Sequence, residues 1–269
     1  MTTAALAPRT ALFLPASNAR AIEKARGLGV DMVILDLEDA VKPQDKAMAR
    51  DAAVEAVTTS FGESLRAIRI NVRGAPEHGH DLVAVQHSVC DYVVAPKIDT
   101  AEDARAVASV TGKPLLAMIE TPLGVLNAVQ IAAVPGVAGL IAGVNDLRAS
   151  LGIPDGAPRA SLALALQTIV LAARAAGIWA FDGVYNRLED SEGLAADCHE
   201  GRMTGFDGKS LIHPNQIEIA TRAFAPTDRE IAEARALIAA ASGGAERYGD
   251  RMIEAMHVDQ AKALLARAG

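Results

Sequence analysis

The sequence predicts an α/β fold, a (β/α)8 TIM barrel with a C-terminal helical extension. Three observations predict it: eight short apolar runs, a helical pattern after each of them, and charged or amide residues where the runs end. Near-continuous apolar runs are expected of parallel strands covered on both faces. Regular strand–helix alternation implies right-handed crossovers and a parallel sheet.

The first run, residues 12–14, precedes a helical stretch over 18–28. MVILDL (32–37) precedes a helix over 44–58, and AIRINV (67–72) a short helix over 77–87. YVVA (92–95) leads to a helix over 101–110, and LLAMI (115–119) to one over 124–133. GLIA (139–142) runs into a loop and then a long apolar helix over 161–176. Runs at 178–184 and 210–213 complete the set, each followed by a helix. Eight units of this size suit a closed barrel of about 250 residues. The alternative is an open flavodoxin-like or Rossmann sheet with a small second domain, but no GxGxxG follows the first strand. A helix over 228–241 comes next, Ser242, Gly243 and Gly244 read as a hinge, and the tail from 245 holds a last helical stretch. The expected division is a barrel over 1–225 and an extension over 226–269, packed on its own barrel or on a neighbouring subunit.

Composition narrows the partners. Hydrophobic residues make up 51% of the chain and aromatics 3%, so the core is aliphatic. A net charge of −7 argues against nucleic acid as the main partner, because phosphate binding favours a basic surface. Cys90 and Cys198 form no CxxC pair, which fits a reducing cytoplasm. No run approaches the ~20 apolar residues of a membrane span, and no signal sequence is expected.

In a barrel, the C-terminal ends of the strands line the active site. Those ends carry Asp36, Glu38 and Asp39, then Arg69 and Asn71, Lys97, Glu120, Asn145 and Asp146, Asp182, and His213. Glu120 and Asp146 end neighbouring strands, so their carboxylates can converge on Mg2+, with water and substrate supplying the other ligands. No His/Cys cluster suggests zinc. Either acid can instead cap the helix that follows it. Arg69 reads as a structural partner of Asp36 or Glu38, or as a fixed cation for a carboxylate or oxyanion. Lys97 reads as an ion-pair partner, with Schiff-base chemistry the alternative. His213 either positions a ligand or caps the next helix, whose first turn Pro214 suits. His78, His80, His87, His199 and His257 read as solvated. Arg20 and Lys24, four apart, share one helix face that holds a phosphate at the mouth or is simply solvated.

The ordered motifs ALFLP, LDLEDAV, IRIN, APK, IETPLGV, GVNDL and GKSLIHPNQI, spanning Arg9 to Phe224, resemble the citrate lyase beta-subunit family. That family lies in the HpcH/HpaI aldolase/citrate lyase superfamily, beside the malyl-CoA and citramalyl-CoA lyases. The resemblance implies a barrel that is trimeric or a higher multiple, with Mg2+ (Mn2+ as a substitute) on Glu120 and Asp146. It implies that Arg69 contacts the substrate and that Arg20 and Lys24 hold CoA phosphates, with Ile212 and His213 beside the thioester end. Members that cleave CoA esters carry a tail similar to DGxMIDxP, whose last Asp enters a neighbouring subunit's site as acid/base. This chain reads GDRMIEAM, so the matching residue is Glu254, and Met256 replaces the proline. Phe13 stands where many relatives carry Tyr. The activity implied is reversible cleavage of a 3-hydroxyacyl-CoA ester, such as malyl-CoA, citramalyl-CoA or citryl-CoA, to an acyl-CoA and a 2-oxoacid. Two other readings stay open: a metal-dependent aldolase acting on free 2-oxoacids, and a subunit of a citrate-lyase-type complex with little activity alone.

Overall fold

The computed structural model of the chain describes residues 6–268, so residues 1–5 of the N-terminal stretch and Gly269 lie outside it. The strands are β1 (Thr10–Pro15), β2 (Met32–Asp36), β3 (Leu65–Arg69), β4 (Tyr92–Ala95), β5 (Leu115–Ile119), β6 (Val137–Ala142), β7 (Trp179–Asp182) and β8 (Gly208–Leu211). All eight are parallel and pair in sequence order, and β8 closes onto β1 through Thr10–Lys209, Ala11–Ser210 and Leu12–Leu211. Gly208 makes that seam possible: a Cβ there would collide with the backbone carbonyls of Pro8 and Arg9.

The helices between strands are α1 (Ala19–Ala25), α2 (Lys46–Ala56), α3 (His78–His87), α4 (Ala101–Thr111), α5 (Pro122–Leu126), α6 (Ala128–Ala132), α7 (Val144–Ser150), α8 (Ala163–Ala176), α9 (Ser191–Thr204) and α10 (Ile217–Phe224). The helix expected over 124–133 is two short ones, broken at Asn127, whose side chain donates to the carbonyl of Asp99. With the turn before it, α8 is an 18-residue apolar stretch of membrane-span length. Its apolarity has a local cause: Leu166, Ile169, Val170 and Ala173 are buried where the helix packs on β6 and β7.

Side chains alternate in and out along each strand. Ala11, Met32, Ile34, Ala67, Val94, Leu116, Met118, Ile141 and Phe181 point into the lumen and form one aliphatic cluster, floored by Leu65, Tyr92 and Trp179. The β5–β6 register slips between Leu115 and Leu116, where Ala138 is the extra residue.

Asp182 and Lys209 have the opposite parity. The expectation that Asp182 joins the mouth is therefore corrected: it faces outward and is fully buried. Lys209 Nζ donates to Asp182 Oδ2 (2.8 Å) and to Asp197 on α9, and Arg159 donates to Asp182 Oδ1 (2.7 Å) and Asp197 Oδ1 (3.2 Å). Two cations meet two carboxylates between barrel and helix. Burial alone would raise the Asp182 carboxyl, but Lys209 and Arg159 outweigh it and hold it below the ordinary range.

The chain divides into two compact units, Pro8–Ala223 and the segment from Phe224 on. The second unit contains α11 (Asp228–Ala240), a hairpin of β9 (Glu246–Tyr248) and β10 (Arg251–Ile253), and α12 (Ala255–Ala266). Its core is Ala234, Leu237, Ile253 and Ala261. The segment read as a hinge is a pinned turn inside this unit: the backbone N–H and hydroxyl of Ser242 both donate to Glu246 (2.6 Å each).

Replacing Lys209 with Met leaves two buried carboxylates facing one cation, and breaking such a cluster costs ~3–5 kcal/mol. Urea unfolding at pH 7 should show a loss of that order. An acid whose folded pKa is depressed stabilises the fold above its unfolded value of about 3.9 and loses that contribution as pH falls through the folded pKa. The gap between wild type and Lys209→Met should therefore narrow below about pH 4.

Candidate active site

The inward parity that fills the lumen also decides which side chains reach the top of the barrel. Phe13, Asp36, Arg69, Glu120, Ser210 and Ile212 line a cavity of about 370 Å³ at the C-terminal ends of the strands, joined by Asp146 from α7. That volume lies within the range of small-molecule sites.

Arg69 makes the structural pairing expected of it and also lines the cavity. Its Nε and one Nη donate to the two oxygens of Asp36, at 2.6 Å each, and its other Nη lies 3.1 Å from Glu38 Oε2. The guanidinium also lies 5.0 Å over the Phe13 ring. Burial alone would lower its pKa, but Asp36 and then Glu38 hold it above the ordinary arginine value. Asp36 accepts two more bonds, from the backbone N–H groups of Glu38 (2.8 Å) and Ala40 (3.0 Å), so its carboxylate is saturated. Glu38 is pushed up to about 8, chiefly by burial, with Arg69 opposing and Asp39, Glu120 and Asp36 reinforcing.

The loop bearing Glu38 is tied down by residues that sequence reasoning missed. Lys46 Nζ donates to the carbonyls of Leu37 (2.7 Å) and Glu38 (2.6 Å) and to Asn71 Oδ1 (2.6 Å). Asn71 in turn donates through backbone and side chain to the buried Asp81, which also takes Arg50. No motif marks Lys46 or Asp81; their role follows from three-dimensional proximity alone.

Glu120 is buried at the end of β5, where Oε1 accepts the Lys97 backbone N–H at 2.7 Å. Lys97 adopts φ 48°, a left-handed conformation unusual for a side-chain-bearing residue, which aims that N–H at the carboxylate. Its Nζ lies 3.3 Å from Asp146 Oδ1. Burial would lower the Lys97 amine, but Asp146 and the other acids outweigh it, so the amine stays protonated. A protonated amine is no nucleophile, and the ion-pair reading of Lys97 stands over Schiff-base chemistry.

The Glu120 carboxyl is pushed up to about 7, first by burial and further by the charge of Asp146, against the Lys97 N–H and the charges of Arg69 and Lys97. A buried carboxylate beside a second one gains from a divalent cation. The local backbone leaves room for it: at Gly143, where β6 turns into α7, a Cβ would collide with Cβ and Oε2 of Glu120. Among the described residues no group of three or more His, Cys, Asp or Glu side chains converges. Two oxygen donors with the remaining positions open suit Mg2+, and not structural zinc.

The other expected residues are distributed as follows. Arg20 and Lys24 are exposed on α1 and meet no acidic partner among the described residues. Ile212 lines the cavity, whereas His213 caps the turn before α10, its Nδ1 accepting from Asn215 N. Glu254 belongs to the C-terminal unit and is exposed at the start of α12, its backbone N–H donating to His257 Nδ1 at 2.9 Å. Ser210 was passed over inside the GKSLIHPNQI motif; the parity of β8 is the signal that singles it out.

A parallel barrel with an arginine–carboxylate pair and two further acids in one cavity at the mouth has the layout of a barrel enzyme. The comparisons with known proteins narrow the class. The HpcH/HpaI aldolase/citrate lyase model matches residues 9–214, and the chain belongs to that family of lyase-type enzymes. It is 42% identical over 269 residues to a (3S)-malyl-CoA thioesterase of Cereibacter sphaeroides, covering 97% of this chain and 94% of that one. It is 37% identical to the citrate lyase subunit beta of Leuconostoc mesenteroides, covering 86% and 82%. The crystal structure of CitE from Mycobacterium tuberculosis with magnesium, acetoacetate and coenzyme A superposes with a TM-score of 0.84 at 33% identity, covering 98% of this chain and 99% of that one.

Gly143→Ala should displace the Glu120 carboxylate while the barrel stays folded. Supporting groups of this kind change metal affinity roughly 10–100-fold. Titration calorimetry with Mg2+ should show a loss in that range, and unchanged affinity would exclude Glu120 as a ligand.

Proposed function

We propose that this chain catalyses magnesium-dependent cleavage, or the reverse formation, of a 3-hydroxyacyl-CoA ester such as malyl-CoA, citramalyl-CoA or citryl-CoA, with an acyl-CoA and a 2-oxoacid as the other partners. The observation that carries the reading is Glu120 and Asp146 sharing one cavity with Arg69. The malyl-CoA and citrate lyase names of the relatives, and the magnesium and coenzyme A in the CitE crystal structure, support it.

Glu120 and Asp146 would hold magnesium, or manganese in its place, which would supply Lewis-acid chemistry at the 2-oxoacid. In cleavage, the bond between the hydroxyl-bearing carbon and the carbon next to the thioester breaks. The hydroxyl gives its proton to solvent, which in turn protonates the partner subunit's Glu254; its carbon becomes the 2-oxoacid carbonyl, and the bonding pair moves into the thioester as an enolate. Arg69, held rigid by Asp36, stabilises that charge. The partner subunit's Glu254 returns a proton to the enolate carbon. Arg20 and Lys24 hold CoA phosphates, and Ile212 and His213 border the thioester end.

This reading makes the chain a homo-oligomer, a trimer or a multiple of one. Apolar side chains left in the open on α5, α6 and α8 support that: Leu126 is 78% exposed, Leu164 83% and Leu171 62%. It also makes the enzyme cytoplasmic, in keeping with two buried free thiols, Cys90 and Cys198.

A second reading, hydrolysis of malyl-CoA to malate and CoA, is favoured by the (3S)-malyl-CoA thioesterase relatives at 42% identity. Malyl-CoA incubated with enzyme and Mg2+ separates the two. Cleavage releases glyoxylate with no free thiol; hydrolysis releases free thiol with no glyoxylate. Under either reading Glu120→Ala should lower metal-dependent turnover by at least about 100-fold, as loss of a preorganised electrostatic group does. Full activity in that variant would sink the metal assignment.

A further inference from the structure

Two buried side-chain polar atoms among the described residues have no hydrogen-bond partner: Arg159 Nε and Ser210 Oγ. The first lies 3.6 Å from Glu200 Oε1 in an ion pair. The second has no such compensation, although Ser210 is only 1% exposed. A buried hydroxyl left unpaired is costly, and in native proteins such groups are few. Its direction is set by strand parity: Lys209 turns outward to Asp182 and Asp197, so Ser210 turns inward, where it lines the mouth cavity.

The neighbourhood says what kind of atom would pair with it. Ser210 sits opposite Ala11 on β1, and Phe13 is the next inward residue of β1. Arg69 reaches over Phe13 from the other side. One charged donor and one neutral donor thus line the same cavity. Past the ends of β7 and β8 the cavity is lined by the apolar Val184 and Ile212. A neutral hydroxyl in apolar surroundings matches an uncharged carbonyl oxygen; a carboxylate calls for the charge gathered on the Glu120 side.

We infer that Ser210 Oγ donates a hydrogen bond to the thioester carbonyl oxygen of the bound acyl-CoA, as the second donor beside Arg69. This rests on the proposed CoA-ester function. It makes Ser210 a residue that recognises the thioester itself, independently of the metal side.

The test compares acetyl-CoA with S-ethyl-CoA, a thioether of similar shape that lacks the carbonyl. By calorimetry, wild type should bind acetyl-CoA more tightly, by more than the roughly three- to tenfold worth of one ordinary hydrogen bond, since Arg69 and Ser210 both donate. Ser210→Ala should lose about three- to tenfold of that preference, bind S-ethyl-CoA as wild type does, and keep its Tm, since the free protein loses no bond. Glu120→Gln should keep the wild-type preference. An undiminished preference in Ser210→Ala would overturn the inference while leaving the CoA reading intact. A large drop in Tm would also overturn it, by showing a structural partner for the hydroxyl. Failure of wild type to bind either compound would overturn the CoA reading and this inference together.

Discussion

Closure of eight parallel strands imposes one constraint on everything else: each strand residue faces either the lumen or the helices, and its neighbours face the other way. Below the mouth the lumen takes apolar side chains, Ala11, Ile34, Ala67, Leu116 and Phe181 among them. With the same inward parity, Phe13, Asp36, Arg69, Glu120 and Ser210 line the cavity above. The site is thus the top layer of the core, and it inherits the rigidity of the packing beneath it. Met118 Sδ lies 3.8 Å from the Arg69 Nη that faces Glu38, so even the charged layer rests on lumen side chains.

The same parity separates two kinds of buried charge. Lys209, Asp182, Arg159 and Asp197 pair two cations with two carboxylates between barrel and helices. Such a set contributes little net stability over apolar packing, but it cannot lose a member cheaply. It therefore ties the loop before α8 and helix α9 to β7 and β8. The mouth is different, because its acids outnumber its cations: Asp36, Glu38, Glu120 and Asp146 face Arg69 and Lys97. Burial answers that excess by raising Glu38 to about 8 and Glu120 to about 7. An excess of this kind in one cavity is what a divalent cation relieves.

Much of this was legible before the fold was known. Apolar runs located all eight strands, and the acids and Arg69 at their ends followed from the rule that barrel sites sit there. Asp182 shows the limit of that rule. It ends a strand, but a four-residue strand with a run drawn as 178–184 leaves parity undecided, and the residue faces the helices. Lys46 and Asp81 were illegible for another reason: their partners are 25 and 10 residues away, and no local spacing links them. The tail hairpin had a signal, Gly249 and Asp250 between two short runs, but three-residue strands are too brief to show alternation.

The polar groups of the mouth divide by what they already hold. Asp36 accepts four bonds and Lys46 gives three, so both are spent on the scaffold. Oε1 of Glu120 is occupied by the Lys97 N–H, while Oε2 meets no donor among the described residues. Ser210 Oγ is likewise open. Groups that are saturated cannot bind a ligand without breaking the loop that holds them; groups that are open lose nothing by doing so. Open acceptors on the β5 side and an open donor on the β8 side, with Arg69 between them over Phe13, describe a ligand with a cation-binding oxygen cluster at one end and an uncharged carbonyl at the other. A 2-oxoacid joined to, or parting from, an acyl thioester has that polarity.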